Sequence, residues 1–333
     1  MENTPLIKIN YIYDGKESYI YSKLESYNIT GSIKDRVVNY IIEKAIENNE
    51  LKAGMTLYEA TSGNTGIALA AIGAKLNHNV HIFMPDWVSS ERIKIMKMYG
   101  AKITLFSKED GGFSRCIKEA REASLKNNGY YLNQFENYSN VLAHYELTGK
   151  ELVEEIHEKI GGFIVGVGTG GTLMGVGKRL KEINSNTVIA ALEPSIMPML
   201  SKNAIYGEHK IEGIGDEFVP KIVEKSEIDE ILLVDDDDAI NMARLLACKL
   251  GLGVGISSGA NFLGAVLLKE KINGNVATIF VDDNKKYLST DLSRDVIENE
   301  KFVSNKIELL SYEFVKSKYW LYVYRYTILK DWG

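Results

Sequence analysis

The chain has almost no cysteine: Cys116 and Cys248 are the two in 333 residues, and no Cys-x-x-Cys pair occurs. That leaves no disulfide framework to build on, and a buried thiol is the expectation for each in place of a metal ligand or a nucleophile. The five histidines show no metal-ligand spacing. Long apolar runs are missing as well. No stretch of 18 or more apolar residues occurs and none follows Met1, which argues against a membrane span and makes the cytoplasm the expected location. Basic excess is absent too. A net charge of −6 offers no counterpart to the phosphates of a nucleic acid. What remains, 45% hydrophobic and 25% charged residues, is the composition of a globular protein, and the length suits two lobes or one large α/β unit.

Short β-rich runs alternate with longer amphipathic stretches. Strands are expected at 55–59, 80–84, 102–106, 163–167, 187–192, 230–234 and 276–281, and helices at 67–76, 90–99, 113–126, 141–159 and 239–250. Strands separated by helices imply parallel sheets covered on both faces through right-handed crossovers, with function at the carboxyl ends of the strands. The two densest β/α series lie on either side of about residue 137, so two lobes with a cleft between them are expected. The acidic run Asp235-Asp236-Asp237-Asp238 precedes a helically spaced segment. It therefore reads as a cap matched to a helix dipole in preference to a metal cluster.

Four short segments carry the chemistry. Gly168-Thr169-Gly170-Gly171-Thr172 follows a buried strand and precedes a helical stretch, so its backbone amides can surround an anion at a helix N-terminus, with hydroxyls from Thr169 and Thr172. Thr61-Ser62-Gly63-Asn64-Thr65-Gly66 stands between a strand and a helix in the same way, and reads either as an anion-binding turn or as a glycine turn with capping residues. Gly31-Ser32-Ile33-Lys34-Asp35-Arg36 places a lysine at a helix start, by itself an ordinary solvated charge. Gly255-Ile256-Ser257-Ser258-Gly259 is the fourth. A rival reading treats Gly166 to Gly171 as a Gly-x-Gly-x-x-Gly dinucleotide fingerprint, with Glu193 about 20 residues on, as in a nicotinamide dehydrogenase. It leaves the segments at 61–66 and 255–259 unexplained.

Taken as a set, from Asn3-Thr4-Pro5-Leu6 to Tyr287-Leu288-Ser289-Thr290, these segments resemble the cysteine synthase and cystathionine β-synthase family of pyridoxal phosphate enzymes. The resemblance implies an α/β fold of the tryptophan-synthase-β-like type II class: two lobes, each a mainly parallel β-sheet flanked by helices, with the active site in the cleft. The larger, cofactor-binding lobe is expected from residues 1–34 plus 138–300, the smaller mobile substrate lobe from 35–137, and residues 301–333 are an atypical tail. The cofactor implied is pyridoxal 5'-phosphate, which needs an amine for its aldehyde, donors for its phosphate and a partner for its ring nitrogen. Lys34 matches the Schiff-base lysine. Gly168, Thr169, Gly170, Gly171 and Thr172 match the phosphate loop, Asn64 the ligand of the 3′-oxygen and Ser257 the ring-nitrogen partner. Thr61, Ser62, Thr65 and Gln134 match the residues that hold a substrate carboxylate. A neutral hydroxyl at Ser257 makes a weaker electron sink than an aspartate and favours loss of a β-substituent. The implied chemistry is β-elimination and β-replacement on L-cysteine or O-acetyl-L-serine through an aminoacrylate, with Lys34 as general base.

One position departs from cysteine synthases. After Gly213-Ile214-Gly215, where the family carries a small residue, this chain has Asp216. A carboxylate there repels hydrosulfide and suits activation of water, so the expected direction is L-cysteine plus water to L-serine plus hydrogen sulfide. The alternatives within the family are synthesis of cysteine from O-acetyl-L-serine and sulfide, and cystathionine β-synthase. A small amino-acid substrate and a homodimer are the partners implied. Asn137-Tyr138 and Thr148-Gly149-Lys150 also differ from the family's usual prolines. The aromatic-rich segment after Lys301 fits an oligomer arm, a surface strand pair or a non-native tail equally well.

Overall fold

The computed structural model describes residues 3–294 and 299–315. The chain opens with a hairpin, β1 (Leu6–Tyr13) and β2 (Lys16–Leu24), followed by α1 (Lys34–Glu47). Then come β3 (Leu57–Ala60), α2 (Asn64–Leu76), β4 (Val80–Pro85), α3 (Ser90–Met98), β5 (Lys102–Phe106), α4 (Gly112–Lys126) and β6 (Tyr130–Tyr131). The remainder is α5 (Ser139–Ala143), α6 (Lys150–Glu155), β7 (Ile160–Gly166), α7 (Gly171–Ile183), β8 (Val188–Pro194), α8 (Met199–Lys202), β9 (Glu230–Val234), α9 (Asp236–Leu250), α10 (Ile256–Lys271), β10 (Asn275–Phe280) and β11 (Ile307–Phe314).

Two sheets result, with orders β11-β1-β2-β10-β7-β8-β9 and β5-β4-β3-β6. Every pairing in the smaller sheet is parallel, as is the run from β2 to β9 in the larger. Period-2 side-chain alternation divides the large sheet's core in two: Phe163, Val165, Ala277 and Ile279 pack on one face, Ile164, Val276 and Phe280 on the other. Both faces are buried, as parallel strands joined by helical crossovers require.

Structure and sequence expectation differ at several points. The expected helix over 141–159 is interrupted: α5 passes into a π-helical turn at His144–Gly149 and then α6, which ends at Glu155. Such turns often sit at functional sites. The initial hairpin turns at Asp14 (φ 47°) and Gly15 (φ 78°), the Asp-Gly signal of a two-residue connection. Residues 307–314 of the aromatic-rich segment form β11, an antiparallel partner of β1, while 316–333 lie outside the described residues. Cys116 is buried as expected, but Cys248 is exposed, because it falls on the outer face of α9. Asp235 caps α9 by accepting from the N–H groups of Asp237 and Asp238, and no metal-binding cluster occurs among the described residues. None of the described helices is long and apolar enough to cross a membrane.

The start of α1 is fixed by a buried ion network. Arg36 donates to Glu25 (Nε, 2.7 Å) and to Glu151 (Nη1, 2.6 Å), and Lys23 reaches Glu151 and Glu155 at 2.8 Å each. Burial works to raise the Glu151 carboxyl, but the bonds and charges of Arg36 and Lys23 hold it down at about 2. Arg36→Met is expected to cost ~3–5 kcal/mol, because it leaves Glu25 buried without its cation and Glu151 with Lys23 alone. Glu151 contributes stability above its unfolded pKa, and that contribution disappears as pH falls from about 4.3 towards 2. Denaturant melting across that range checks both statements: the variant should be less stable at pH 7 and should lose less on acidification.

Candidate active site

The carboxyl ends of β3, β7 and β10 converge on one cavity of about 470 Å³. Of the residues singled out in the sequence, Lys34, Thr61, Ser62, Asn64, Thr65, Gln134, Gly168, Thr169, Gly170, Thr172, Asp216 and Ser257 all line it. Gly171 does not; it begins α7 and packs against Asn140.

Lys34 is the first residue of α1, and its neighbours on both sides are tied down. Ile33 N–H donates to Val281 O (3.0 Å), and Asp35 accepts from Thr30 N–H (2.8 Å) and Thr30 Oγ1 (2.6 Å). Removal from water lowers the Lys34 ammonium below the usual lysine value, while the charges of Asp282 and Asp216 pull it back up. Asp216 shows the reverse. Burial pushes its carboxyl up to about 6, with Lys34 opposing the shift. A carboxyl group and an amine whose charges act on each other therefore face one cleft.

The segment at 61–65 leaves β3 and enters α2. Thr65 Oγ1 donates to Gln134 Oε1 (2.6 Å), and Gln134 Nε2 donates to Ala60 O (2.9 Å). Beneath them, Glu59 accepts from Ala60 N–H (2.7 Å) and Gln134 N–H (3.2 Å). Burial raises Glu59 to about 8 despite those two bonds, so at neutral pH it is held mainly as the uncharged acid. Asn64 is gripped at both ends: its Nδ2 donates to Asp282 (2.8 Å), and Lys286 Nζ donates to its Oδ1 (3.1 Å).

At α7 the helix N-terminus opens into the cavity without a side-chain cap, because the N-cap is Gly170 in the left-handed region (φ 87°). The backbone amides of this turn, the helix dipole and the hydroxyls of Thr169 and Thr172 suit this end of α7 to an anion. Residues the sequence reading missed brace it. Asn140 Nδ2 donates to Gln134 O (2.8 Å) and Thr169 Oγ1 (3.0 Å), joining the two loops. His144, in the π-helical turn, lies 3.0 Å from Thr148 Oγ1 and 3.1 Å from Thr172 Oγ1, and burial holds its pKa below the ordinary imidazole value. The signal for both residues was the spacing of polar side chains inside an otherwise apolar helical stretch.

Glu193 serves no ribose. Its carboxylate accepts from Leu200 N–H (2.7 Å) and Ser201 N–H (3.0 Å), capping α8, which removes the acid a dinucleotide fingerprint needs. A lysine at a helix start, an uncapped helix N-terminus, a buried hydroxyl at Ser257 and a carboxylate-sized turn at 61–65 together fit pyridoxal phosphate and an amino acid.

Residues 1–282 match the model of the pyridoxal-phosphate dependent enzyme family, with fold type II structural neighbours, and the chain belongs to that family. Its cofactor is pyridoxal 5'-phosphate. Cysteine synthase B of Campylobacter jejuni is 40% identical over 292 residues, covering 87% of this chain and 95% of that protein. The hydrogen sulfide-producing enzyme of Fusobacterium nucleatum is 50% identical over 93% of this chain and 94% of its own, with a TM-score of 0.90. An aspartate-to-asparagine variant of that enzyme in complex with an α-aminoacrylate intermediate is 49% identical, covering 95% and 96%, with a TM-score of 0.91. This chain is thus a cysteine synthase-like pyridoxal-phosphate enzyme of cysteine metabolism.

Proposed function

We propose that the enzyme converts L-cysteine and water into L-serine and hydrogen sulfide. The observation that carries this reading is Asp216: a carboxyl group raised to about 6, inside the cleft and within electrostatic reach of Lys34. The fusobacterial relative is described as producing hydrogen sulfide, which supports the same direction.

Pyridoxal phosphate, when bound, supplies an aldehyde for the amino group and an electron sink for the α-carbon. The residues of this chain divide the remaining work. Lys34 would carry the cofactor, with Gly168, Thr169, Gly170 and Thr172 on its phosphate, Asn64 on its 3′-oxygen and Ser257 at its ring nitrogen. Thr61, Ser62, Thr65 and Gln134 hold the substrate carboxylate, and residues 35–137 close over it to exclude water from the early steps. The neutral amine of Lys34 takes the α-proton, the Cβ–S bond breaks, and sulfur leaves as hydrosulfide with the electron pair and its own hydrogen. Asp216 then takes a proton from water as its oxygen bonds to the β-carbon, Lys34 returns the α-proton, and Asp216 gives its proton up to solvent, where it completes hydrogen sulfide. Hydrosulfide needs no such base and meets a negative charge on entry, so cysteine synthesis is the disfavoured direction.

The test is product identification with purified holoenzyme. L-cysteine alone should give serine and sulfide in equal amounts, at a higher kcat/KM than O-acetyl-L-serine plus sulfide gives cysteine. The reverse order would make the enzyme a cysteine synthase. At the ring nitrogen, Ser257→Asp should retain the cofactor and slow sulfide release, since a protonated ring holds the α-carbanion too well and opens side reactions. Unchanged kinetics in that variant would mean that Ser257 does not face the ring.

A further inference from the structure

A single arginine links the loop that would hold the substrate carboxylate to the loop that carries Asp216. Arg92, on α3, is 1% exposed and packs against Gly63, where an added β-carbon would stand 2.6 Å from Nη1 and 2.7 Å from Cδ. Its Nη1 donates to Ser62 O (3.3 Å) and forms an ion pair with Glu212, four residues before Asp216. Its guanidinium lies over the Tyr287 ring at 4.9 Å, and Tyr287 Oη donates to Asp282, which also accepts from Asn64.

The chain between Glu212 and Asp216 has little freedom to absorb a displacement. Ile214 is buried, Gly215 N–H donates to Val167 O (2.9 Å), and His209 Nε2 lies 2.7 Å from Gly215 O. Gly213 and Gly215 are both in the left-handed region, with φ of 95° and 74°. Arg92 is buried and the Glu212 side chain is 22% exposed, so the pair is largely withdrawn from water, and such pairs have exacting geometry and serve best to fix register.

We infer that the Arg92–Glu212 pair is a positioning device that registers the Asp216 loop against residues 61–65 and so places the carboxylate for attack of water on the β-carbon. The inference rests on the water-addition reading above and extends it to product partition. When Asp216 is in place, L-cysteine plus water gives L-serine plus hydrogen sulfide. When it is displaced, water adds more slowly, and slow release of the three-carbon fragment left after sulfide departs competes with that addition. Hydrolysis in solution then gives pyruvate and ammonia, so the same water molecule appears in different products.

Glu212→Gln in the holoenzyme should lower the ratio of serine to pyruvate on the order of tenfold, the range expected for neighbouring residues that act as a unit, while sulfide release falls less. In an Asp216→Asn background the same substitution should add almost nothing. Because Glu212→Gln leaves a buried cation unpaired, the double variant Arg92→Met/Glu212→Met removes both charges and should shift the ratio in the same direction. Amide hydrogen exchange over 213–216 should quicken in both variants and stay slow in Asp216→Asn. An unchanged product ratio in both folded variants, or a Glu212→Gln effect of equal size with and without Asp216, would overturn the inference. Should the parent enzyme form no serine at all, the water-addition reading falls first. Exchange over 213–216 then decides the coupling by itself, unchanged exchange refuting it and faster exchange sustaining it.

Discussion

Lys34→Ala is expected to abolish turnover of L-cysteine while leaving the melting temperature close to that of the parent. The loss should exceed the about 10²–10⁴-fold that a positioned general base supplies, because the same amine is assigned both the cofactor's attachment and the α-proton. The fold should tolerate the change. Asp35 and Arg36, not Lys34, anchor the start of α1 through Thr30, Glu25 and Glu151, and alanine is a good helix former. The checks are cysteine turnover, the absorbance of the protein-bound cofactor and a thermal melt. A variant that still turns over, or one whose cofactor absorbance is unaltered, would remove Lys34 from the mechanism.

Asp216→Asn should separate the two halves of the reaction. The variant is expected to release about one equivalent of sulfide per active site and then slow by ~10²–10⁴-fold, the usual loss when a general base is removed. Cysteine formation from O-acetyl-L-serine and sulfide should fall much less, or rise, since hydrosulfide is already a nucleophile and no longer meets a negative charge. The pH dependence follows from the raised carboxyl. Asp216 accepts a proton only when ionised, so serine formation in the parent should rise as pH increases through about 6, and this limb should be missing in the variant. A stopped-flow sulfide burst and a pH profile of serine formation measure both. Serine production by Asp216→Asn at the parent rate would return Asp216 to the status of a loop acid.

Much of this was legible because short-range rules and tertiary structure agree. The strands expected at 102–106 and 230–234 coincide with β5 and β9, and the turns at 61–66 and 168–172 lie at strand ends facing the cavity, where a parallel sheet puts its ligands. The Asp-Gly turn of the first hairpin was also present in the sequence, with apolar alternation on either side, and was passed over. Other features had no local signature. Arg92 reads as a surface charge in an amphipathic helix, and only the long-range approach of Gly63, Glu212 and Tyr287 buries it. The π-helical turn at His144–Gly149 keeps helical periodicity nearly intact, so its sequence reads as uninterrupted helix. β11 depends on pairing with β1 some 300 residues away, which no window of local sequence reports.

The central claim is that water, activated at Asp216, is the second reactant. Turnover of L-cysteine in water enriched in oxygen-18 tests it most directly, with serine, pyruvate and sulfide quantified together. The account requires serine carrying one oxygen-18 atom at the β-hydroxyl, one sulfide per serine and little pyruvate. Sulfide accompanied by pyruvate and ammonia alone, or serine without the label, would contradict it.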